Sequence, residues 1–173
     1  GNGPSLERLN LFSFGDEPAN WRASTGNGGS PGRPAPLTFA AWRALHFTPA
    51  QLADENVGGP AADPDGDGHS NLAEWAQGGH PWTPELPLQT LSVETTGQDQ
   101  FLLLNVRRSL GAQGLQIIGD TATDIQSWTL GAGVSLGVTA THPDGTETVT
   151  VRHPTPLNSG TAPKLLRARL VTP

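Results

Sequence analysis

Alternation of apolar and polar residues dominates the C-terminal half of the chain. After about Leu88 the chain reads, between turn residues, LQTLSVET, QFLLLNVRR, LQIIGDTAT, VSLGVTAT, ETVTVRH and KLLRARLV. Such short alternating or apolar runs have the period of half-buried strands. Asp144-Gly145 favours a hairpin turn between the fourth and fifth runs, because glycine accepts a positive φ. The pattern predicts an antiparallel β-sandwich of about six or seven strands over 88–173.

The segment 37–87 has a helical period instead. Apolar or aromatic residues recur at helical spacing at Phe39, Trp42, Leu45 and His46. Thr38 is in the position of an N-cap for that helix, and Thr48 caps a second short helix with Gln51 as its capping-box partner. A third short helix, SNLAEWAQ, ends at the glycine pair 78–79, and HPWTPELP follows as an extended connector.

The segment 1–36 contains one strand candidate, Ser5–Leu11, followed by turn residues and a Gly/Ser/Pro-rich linker. A single strand cannot bury a face alone. We therefore expect it either to pair with an edge of the sandwich or to be the remnant of a domain that continues upstream.

Composition narrows the functional classes. The chain has 22 glycines and 16 prolines, which favours short strands and turns over long helices. The net charge of −6 lacks the basic patch that nucleic acids require, and we expect Arg107-Arg108, Arg167 and Arg169 to form solvated faces. No apolar run reaches the roughly 18 residues of a membrane helix, so we expect a soluble chain with no membrane span.

Two further features of the sequence concern whether the protein is exported from the cell. Cysteine is absent, which excludes a disulfide framework and a thiolate metal site but is compatible with export. The chain begins at Gly1 without methionine or a leader. We expect a processed or excised fragment whose export signal lies outside it.

The stretch DPDGDGHSNLAE, residues 63–74, carries the only strong chemical signal that we find. An EF-hand loop takes calcium ligands from its positions 1, 3, 5, 7, 9 and 12 and has glycine at position 6. Counted from the first aspartate, Gly68 falls at position 6 and the predicted ligands are Asp63, Asp65, Asp67, His69, Asn71 and Glu74. His69 would contribute its backbone carbonyl, with its imidazole pointing outward. Four carboxylates in so short a stretch repel one another strongly, which favours a bound Ca²⁺ over an acidic turn without an ion.

The surrounding sequence indicates a structural role for this ion. Leu72 and Trp75 share a face of the following helix and would anchor it to the core. The stretch ENVGGPAA separates the preceding helix from Asp63, unlike a complete EF-hand, and sensor proteins usually pair two hands. We expect the ion to stabilise the fold at the joint between the helical segment and the β-domain.

The sequence shows three resemblances to known proteins. DPDGDGHSNLAEWAQGGHP resembles the calcium motif of thrombospondin type 3 repeats and of dockerin-like loops, which implies calcium ligands at the matching positions. GPSLERL, NWRAS and GGSPGRP resemble the end of a lamin tail domain, an immunoglobulin-like sandwich. The order of these segments is similar to the C-terminal regions of very large surface or secreted bacterial proteins, which implies an extracellular location.

Other candidate sites are weaker. His142 and His153 flank a hairpin, where we expect an exposed cross-strand pair rather than metal ligands. Asp120 and Asp124 permit a carboxylate pair for glycoside chemistry in principle, but nothing else predicts a cleft. Trp82 either stacks on a sugar ring or packs at a seam of the fold.

We therefore predict a mainly β protein with three segments: 1–36, the end of a lamin-tail-like domain and a linker; 37–87, a helical EF-hand-like calcium subdomain; and 88–173, an antiparallel β-sandwich. The predicted function is a non-catalytic, calcium-stabilised structural or adhesion module, secreted or at the cell surface. Its expected partners are other domains of the same protein, surface proteins or polysaccharide. The alternative is a carbohydrate-binding appendage of an upstream polysaccharide-active enzyme.

Overall fold

The computed structural model describes residues 4–8, 16–27, 37–85 and 88–171. Of the described residues, 41% are in strands and 15% are in helices. The strand registers are antiparallel. The predicted class, a mainly β protein with antiparallel sheets, is confirmed.

Nine strands and three α-helices are described. The strands are β1 (Pro4–Arg8), β2 (Trp21–Asn27), β3 (Gln89–Thr96), β4 (Asp99–Ser109), β5 (Gln116–Ala122), β6 (Trp128–Thr129), β7 (Val134–Thr141), β8 (Thr146–Arg152) and β9 (Leu165–Val171). The helices are α1 (Phe39–His46), α2 (Pro49–Ala53) and α3 (Asn71–Gln77), with a 3-10 turn at Pro18–Asn20. Within the described residues, no helix has the length and apolar character needed to cross a membrane.

The chain divides into two compact units. The helical unit comprises Gly1–Pro84 together with the loops Ser109–Gln113 and His142–Thr146, and the sheet unit comprises Glu85–Arg108, Gly114–Thr141 and Glu147–Pro173. Two loops at the ends of strands thus belong to the helical unit, although their sequence neighbours belong to the sheet unit.

Side-chain caps begin the first two helices where the sequence predicts them. The Thr38 hydroxyl accepts a hydrogen bond from the Ala41 backbone N–H at 3.2 Å. Thr48 and Gln51 form the complete capping box, in which each side chain accepts from the other residue's backbone N–H. Such caps satisfy N–H groups that a helix end otherwise leaves without partners.

Aromatic packing forms the core of the helical unit. Trp42 and Trp75 are buried, and the Phe39 ring lies between them, with centroid distances of 5.9 Å to Trp42 and 5.7 Å to Trp75. The Trp75 indole N–H donates to the backbone carbonyl of Leu37 at 3.0 Å. The expectation that Trp75 anchors α3 is confirmed, and burial of its large ring together with a satisfied N–H explains why.

The N-terminal strand finds a partner close by in sequence. β1 pairs with β2 in antiparallel register, Leu6 opposite Ala23 and Arg8 opposite Trp21. Residues 4–8 therefore do not pair with an edge of the sandwich, whereas the alternative, that this strand belongs to a domain that continues upstream, stays a prediction. The rest of the candidate, 9–11, lies outside the described residues. The partner strand escaped prediction because WRASTGN lacks alternation and ends in poor strand formers.

The sheet unit contains two sheets. One has the order β3-β4-β8-β7 and the other the order β6-β5-β9. Buried apolar side chains come from both sheets: Leu104, Val106, Val149 and Val151 from the first, and Ala122 from the second. This arrangement is consistent with a sandwich-like class. The β7–β8 hairpin turns at Gly145, whose φ of 80° matches the predicted turn.

At Gly119, which has no side chain, β5 lies close to Val151 of the neighbouring sheet. A Cβ atom at Gly119 would clash with Cγ1 of Val151 and would lie 3.2 Å from the Cα of Gly133. The Gly133 N–H donates to the Gly119 carbonyl at 3.0 Å. Glycine is therefore required at position 119 by close approach, since its φ lies outside the left-handed region.

Gly119→Ala is expected to destabilise the protein by about 1–3 kcal/mol, because the added methyl overpacks this contact. Urea denaturation measures the change. Val151→Ala in the same chain removes the clashing methyl, so the double variant should lose less stability than the sum of the two single losses. A Gly119→Ala variant within about 0.5 kcal/mol of the parent would contradict the close approach.

Candidate metal centre

The loop between α2 and α3 brings three aspartates together. Carboxylate oxygens of Asp63, Asp65 and Asp67 all lie within 4.8 Å of one another. Gly66 and Gly68 have φ values of 76° and 92°, in the left-handed region that favours glycine. The sharp turn predicted at Gly68 is therefore present, and it returns the chain so that alternate side chains point to one centre.

Backbone N–H groups of the loop hold one or both oxygens of each aspartate. Asp63 accepts from the N–H groups of Gly66 and Gly68, both at 2.9 Å. Asp65 Oδ1 accepts from the Asp67 N–H at 3.3 Å, and Asp67 Oδ1 accepts from the His69 N–H at 2.8 Å. These bonds orient the carboxylates before any ion binds.

The first turn of α3 places two further predicted ligands in buried positions. Asn71 and Glu74 are both fully buried. The Asn71 amide donates to the backbone carbonyls of Val57 and Gly59, each at 2.8 Å, and its backbone N–H donates to the Ala62 carbonyl at 2.8 Å. These bonds fasten the end of the loop to the segment that precedes it. The Glu74 carboxylate is not among the oxygens gathered within 4.8 Å by the three aspartates.

Buried oxygen atoms in this region lack hydrogen-bond partners. Asn71 Oδ1 and Asp65 Oδ2 are inaccessible to solvent and accept no hydrogen bond, and both belong to predicted ligands. The amide of Gln77, farther along α3, is buried and lacks partners as well. An acceptor left in this state costs about 1–3 kcal/mol, and a cation or ordered water would offset that cost.

The His69 imidazole does not point outward as expected. Its Nδ1 lies 3.1 Å from Asp67 Oδ2, and its side chain is only 19% exposed. The ring thus lies against the Asp67 carboxylate, itself 4% exposed, rather than in solvent. His69 thus supports the position of Asp67, and the role of its backbone carbonyl as a ligand stays a prediction.

Burial and the neighbouring negative charges both disfavour the ionised form of Asp65. The pKa of Asp65 is raised, first by burial and then by the negative charges of Asp67 and Asp63, while the Asp67 N–H partly opposes the change. A raised carboxylate pKa means that the ionised form is disfavoured where it stands. A cation at the centre of the three carboxylates would reverse this effect.

The donor set fits calcium better than a transition metal. Carboxylate and amide oxygens are hard donors, which Ca²⁺ prefers in numbers of about six to eight. The sequence offers no thiolate, and the His69 Nδ1 lies 3.1 Å from Asp67 Oδ2. The three gathered aspartates with Asn71 and Glu74 would supply the side-chain oxygens of such a site.

Asp120 and Asp124, the weaker carboxylate candidates, have structural partners. Asp120 is fully buried and accepts from Arg169 Nε at 3.1 Å, from Arg167 Nε at 3.3 Å and from the Gly131 N–H at 2.8 Å. The Arg169 hydrogen bond above all lowers the pKa of Asp120. Asp124 Oδ1 accepts from two N–H groups of its own turn.

The predicted solvated arginine faces need correction. Arg167 and Arg169 keep side-chain exposures of 45% and 38%, but their guanidinium groups neutralise the buried Asp120. Arg108 likewise forms an ion pair with Glu147, whose side chain is 8% exposed. The arginines occupy strand positions because buried carboxylates require paired charges.

His153 is also placed differently from expectation. It is 5% exposed rather than part of an exposed pair, its N–H donates to the Leu102 carbonyl at 2.8 Å, and its ring Nδ1 accepts from the Thr155 N–H at 3.1 Å. The alternating pattern of β8 explains this burial, since His153 continues the buried series of Val149 and Val151.

Trp82 packs within the helical unit. Its ring centroid lies 5.3 Å from that of Phe47, and its indole N–H donates to the His46 carbonyl at 3.0 Å. The side chain is 40% exposed. One face of the indole is thus used by the fold, which limits the surface left for stacking on a sugar.

Two histidines that sequence reasoning did not connect lie against each other in this unit. The rings of His46 and His80 are in edge contact with centroids 4.9 Å apart. Burial, and secondarily the charge of His80, lowers the pKa of His46 to about 4. Burial also lowers the pKa of His80, although the nearby charge of Asp65 opposes the change. The helical spacing of His46 indicated burial, but no local signal indicated its partner.

Acidification is therefore expected to destabilise the protein through His46. Its folded-state pKa of about 4 lies below the usual 6.5, so the unfolded chain binds more protons between these values. The stabilising contribution is complete above pH 6.5 and decreases as the pH falls toward 4, by roughly 3 kcal/mol at most.

His46→Phe preserves a ring at this position and removes the titration. The difference in unfolding free energy between the parent and this variant, measured by denaturant titration from pH 7.5 to about 4, should change in favour of the variant as pH falls. A constant difference over this range would contradict the lowered pKa.

Comparison with known proteins adds nothing to this geometry, because no protein-family model, curated protein or solved structure matches the chain.

Proposed function

We propose that the chain is a non-catalytic, calcium-stabilised extracellular module, with the loop 63–74 as an EF-hand-like calcium site. The observation that carries this proposal is the convergence of Asp63, Asp65 and Asp67 beside a buried Asn71 whose side-chain oxygen accepts no hydrogen bond. In this role Ca²⁺ neutralises the carboxylates and ties them to the first turn of α3.

The stabilising effect would reach the core of the helical unit through α3. Asn71 and Glu74 begin this helix, Trp75 packs in the aromatic core, and Gly78 ends it in a left-handed conformation with φ of 78°. The Gly78 position closely approaches Cγ2 of Thr146, so the end of the helix is fixed too. An ion that fixes the start of α3 would therefore stabilise the whole helical unit.

The structure around the loop favours a structural calcium site over a regulatory calcium sensor. α2 ends at Ala53, and residues 54–62 separate it from Asp63, the first predicted ligand. No entering helix therefore leads directly into the loop. Paired hands and a mobile entering helix are the parts that sensor proteins use to respond to calcium. Extracellular calcium is high enough to fill a site with an affinity of about 10⁻⁴–10⁻³ M.

The parent protein inferred from the resemblances is a large surface or secreted bacterial protein. On this proposal residues 1–36 close a lamin-tail-like domain, and the sheet unit is a β-sandwich with structural or adhesive contacts. Arginine partners for Asp120 and Glu147 support a non-catalytic role for those buried carboxylates.

A carbohydrate-binding appendage is the alternative function, and the described surface favours it less. Sugar binding would need an exposed aromatic strip on a sheet face. In the four-stranded sheet, as far as it is described, the aromatic residue is Phe101, and the Arg152 guanidinium covers its ring at 4.5 Å. The exposed tryptophans are Trp21 on β2 and Trp82 in a loop.

Calcium is expected to raise the melting temperature. For a dissociation constant near 1 mM, 10 mM Ca²⁺ stabilises the folded state by about 1.4 kcal/mol relative to excess chelator, which corresponds to about 3–5 °C for a chain of this size. Thermal unfolding by circular dichroism measures the shift, and isothermal calorimetry measures binding directly.

Asp65→Ala should remove the calcium response and should not lower the melting temperature in chelator, because it relieves repulsion in the cluster. Asp99→Ala, an exposed aspartate at the start of β4, is the matched control and should retain the full response. An unchanged melt of the parent protein with calcium, together with no binding heat up to millimolar calcium, would refute the assignment.

A further inference from the structure

β3 is a long, regular edge strand. It lies at the end of the order β3-β4-β8-β7, so none of the described strands pairs with its outer row of backbone N–H and C=O groups. All eight of its residues pair with β4 without a register shift. Leu91 and Val93 are 63% and 54% exposed, although they pair with Leu104 and Leu102 and share the face of the buried core. Such an edge is a template for another strand.

The other edges of the described sheet unit carry protecting features that β3 lacks. β7 has two register shifts and a left-handed Gly137 with φ of 74°, which interrupt its outer hydrogen-bonding row. β9 carries Arg167 and Arg169, so two copies of it would bring like charges together. β6 has only two residues. Bulges, charges and shortness are the usual means of blocking an edge, so β3 remains available.

We propose that β3 pairs antiparallel with β3 of a second copy, about a two-fold axis at Ser92. In this register Leu91 lies opposite the partner's Val93, and Val93 opposite the partner's Leu91. Because opposed residues of an antiparallel pair share a face, the four exposed apolar side chains form one cluster that continues the core face of each sheet. A shift by two residues would place Val93 opposite the partner's Gln89, or Leu91 opposite the partner's Thr95, so the four apolar side chains would no longer all oppose one another.

The charges of the strand are compatible with this pairing. Glu94, the single charged residue of β3, lies opposite the partner's Thr90, so the two copies do not oppose like charges. Its carboxylate already pairs with Arg152 at 3.3 Å. A strand that pairs with its own copy must be self-complementary under two-fold symmetry, and this register meets that condition. A contact of eight residues per copy is small, so we expect a concentration-dependent dimer with a micromolar dissociation constant.

Cysteine cross-linking tests the register without interference from native thiols, because the chain contains no cysteine. Ser92→Cys places the two sulfurs opposite each other at the axis and should give a covalent dimer on mild oxidation. Thr90→Cys is the matched control: in this register its two copies lie about 13 Å apart along the strands, beyond disulfide reach, and it should stay largely monomeric. Efficient cross-linking of Thr90→Cys but not of Ser92→Cys would overturn the register.

Sedimentation equilibrium from micromolar to millimolar protein tests the association itself. Val93→Lys introduces a charge into the apolar cluster and should weaken dimerisation at least about tenfold. Val138→Lys makes the same change at an exposed position of the β7 edge and should leave it unaffected. A monomer at all concentrations, or a dimer that responds equally to both variants, would overturn the proposal.

Discussion

The cost of burying or crowding negatively charged carboxylates is the constraint that shapes both units. Asp63, Asp65 and Asp67 hold their oxygens within 4.8 Å of one another, and the raised pKa of Asp65 reflects the cost. The loop offsets part of this cost with its own N–H groups and with the imidazole of His69. A bound cation would offset the remaining cost. Because the ion would also fix the start of α3, calcium binding and the stability of α3 would be coupled.

In the sheet unit, arginine side chains neutralise the buried carboxylates. Asp120 lies between Arg167 and Arg169 from the neighbouring strand, and Glu147 pairs with Arg108. Removing one partner of such a pair would leave a buried charge, so these pairs are retained even where they add little net stability. The buried carboxylates of the sheets, Asp120 and Glu147, are thus neutralised by arginine side chains of the chain itself. The three aspartates of the loop would instead be neutralised by a cation from solution.

Edge protection is the second general feature of the sheets. Glycine serves opposite purposes at two positions: Gly119 allows a close approach inside the unit, and Gly137 interrupts the outer row of β7. β3 has neither glycine nor cationic residues, and two of its apolar side chains remain exposed. The proposed dimer follows from this asymmetry between edges rather than from any separate pocket.

Local patterns in the sequence determined the features that depend on residues close in the chain. The caps at Thr38 and Thr48, the turn at Gly145 and the convergence of alternate aspartates follow from hydrogen bonds and φ angles that a few neighbouring residues settle among themselves. Tertiary structure decided the rest: the pairing of β1 with β2, the contact of His46 with His80, the burial of His153 and the use of Arg167 and Arg169 to neutralise Asp120. Apart from the β1–β2 pairing, these contacts join residues far apart in sequence, and burial changes the energetics of a charge or an imidazole only after the surrounding chain has removed it from water.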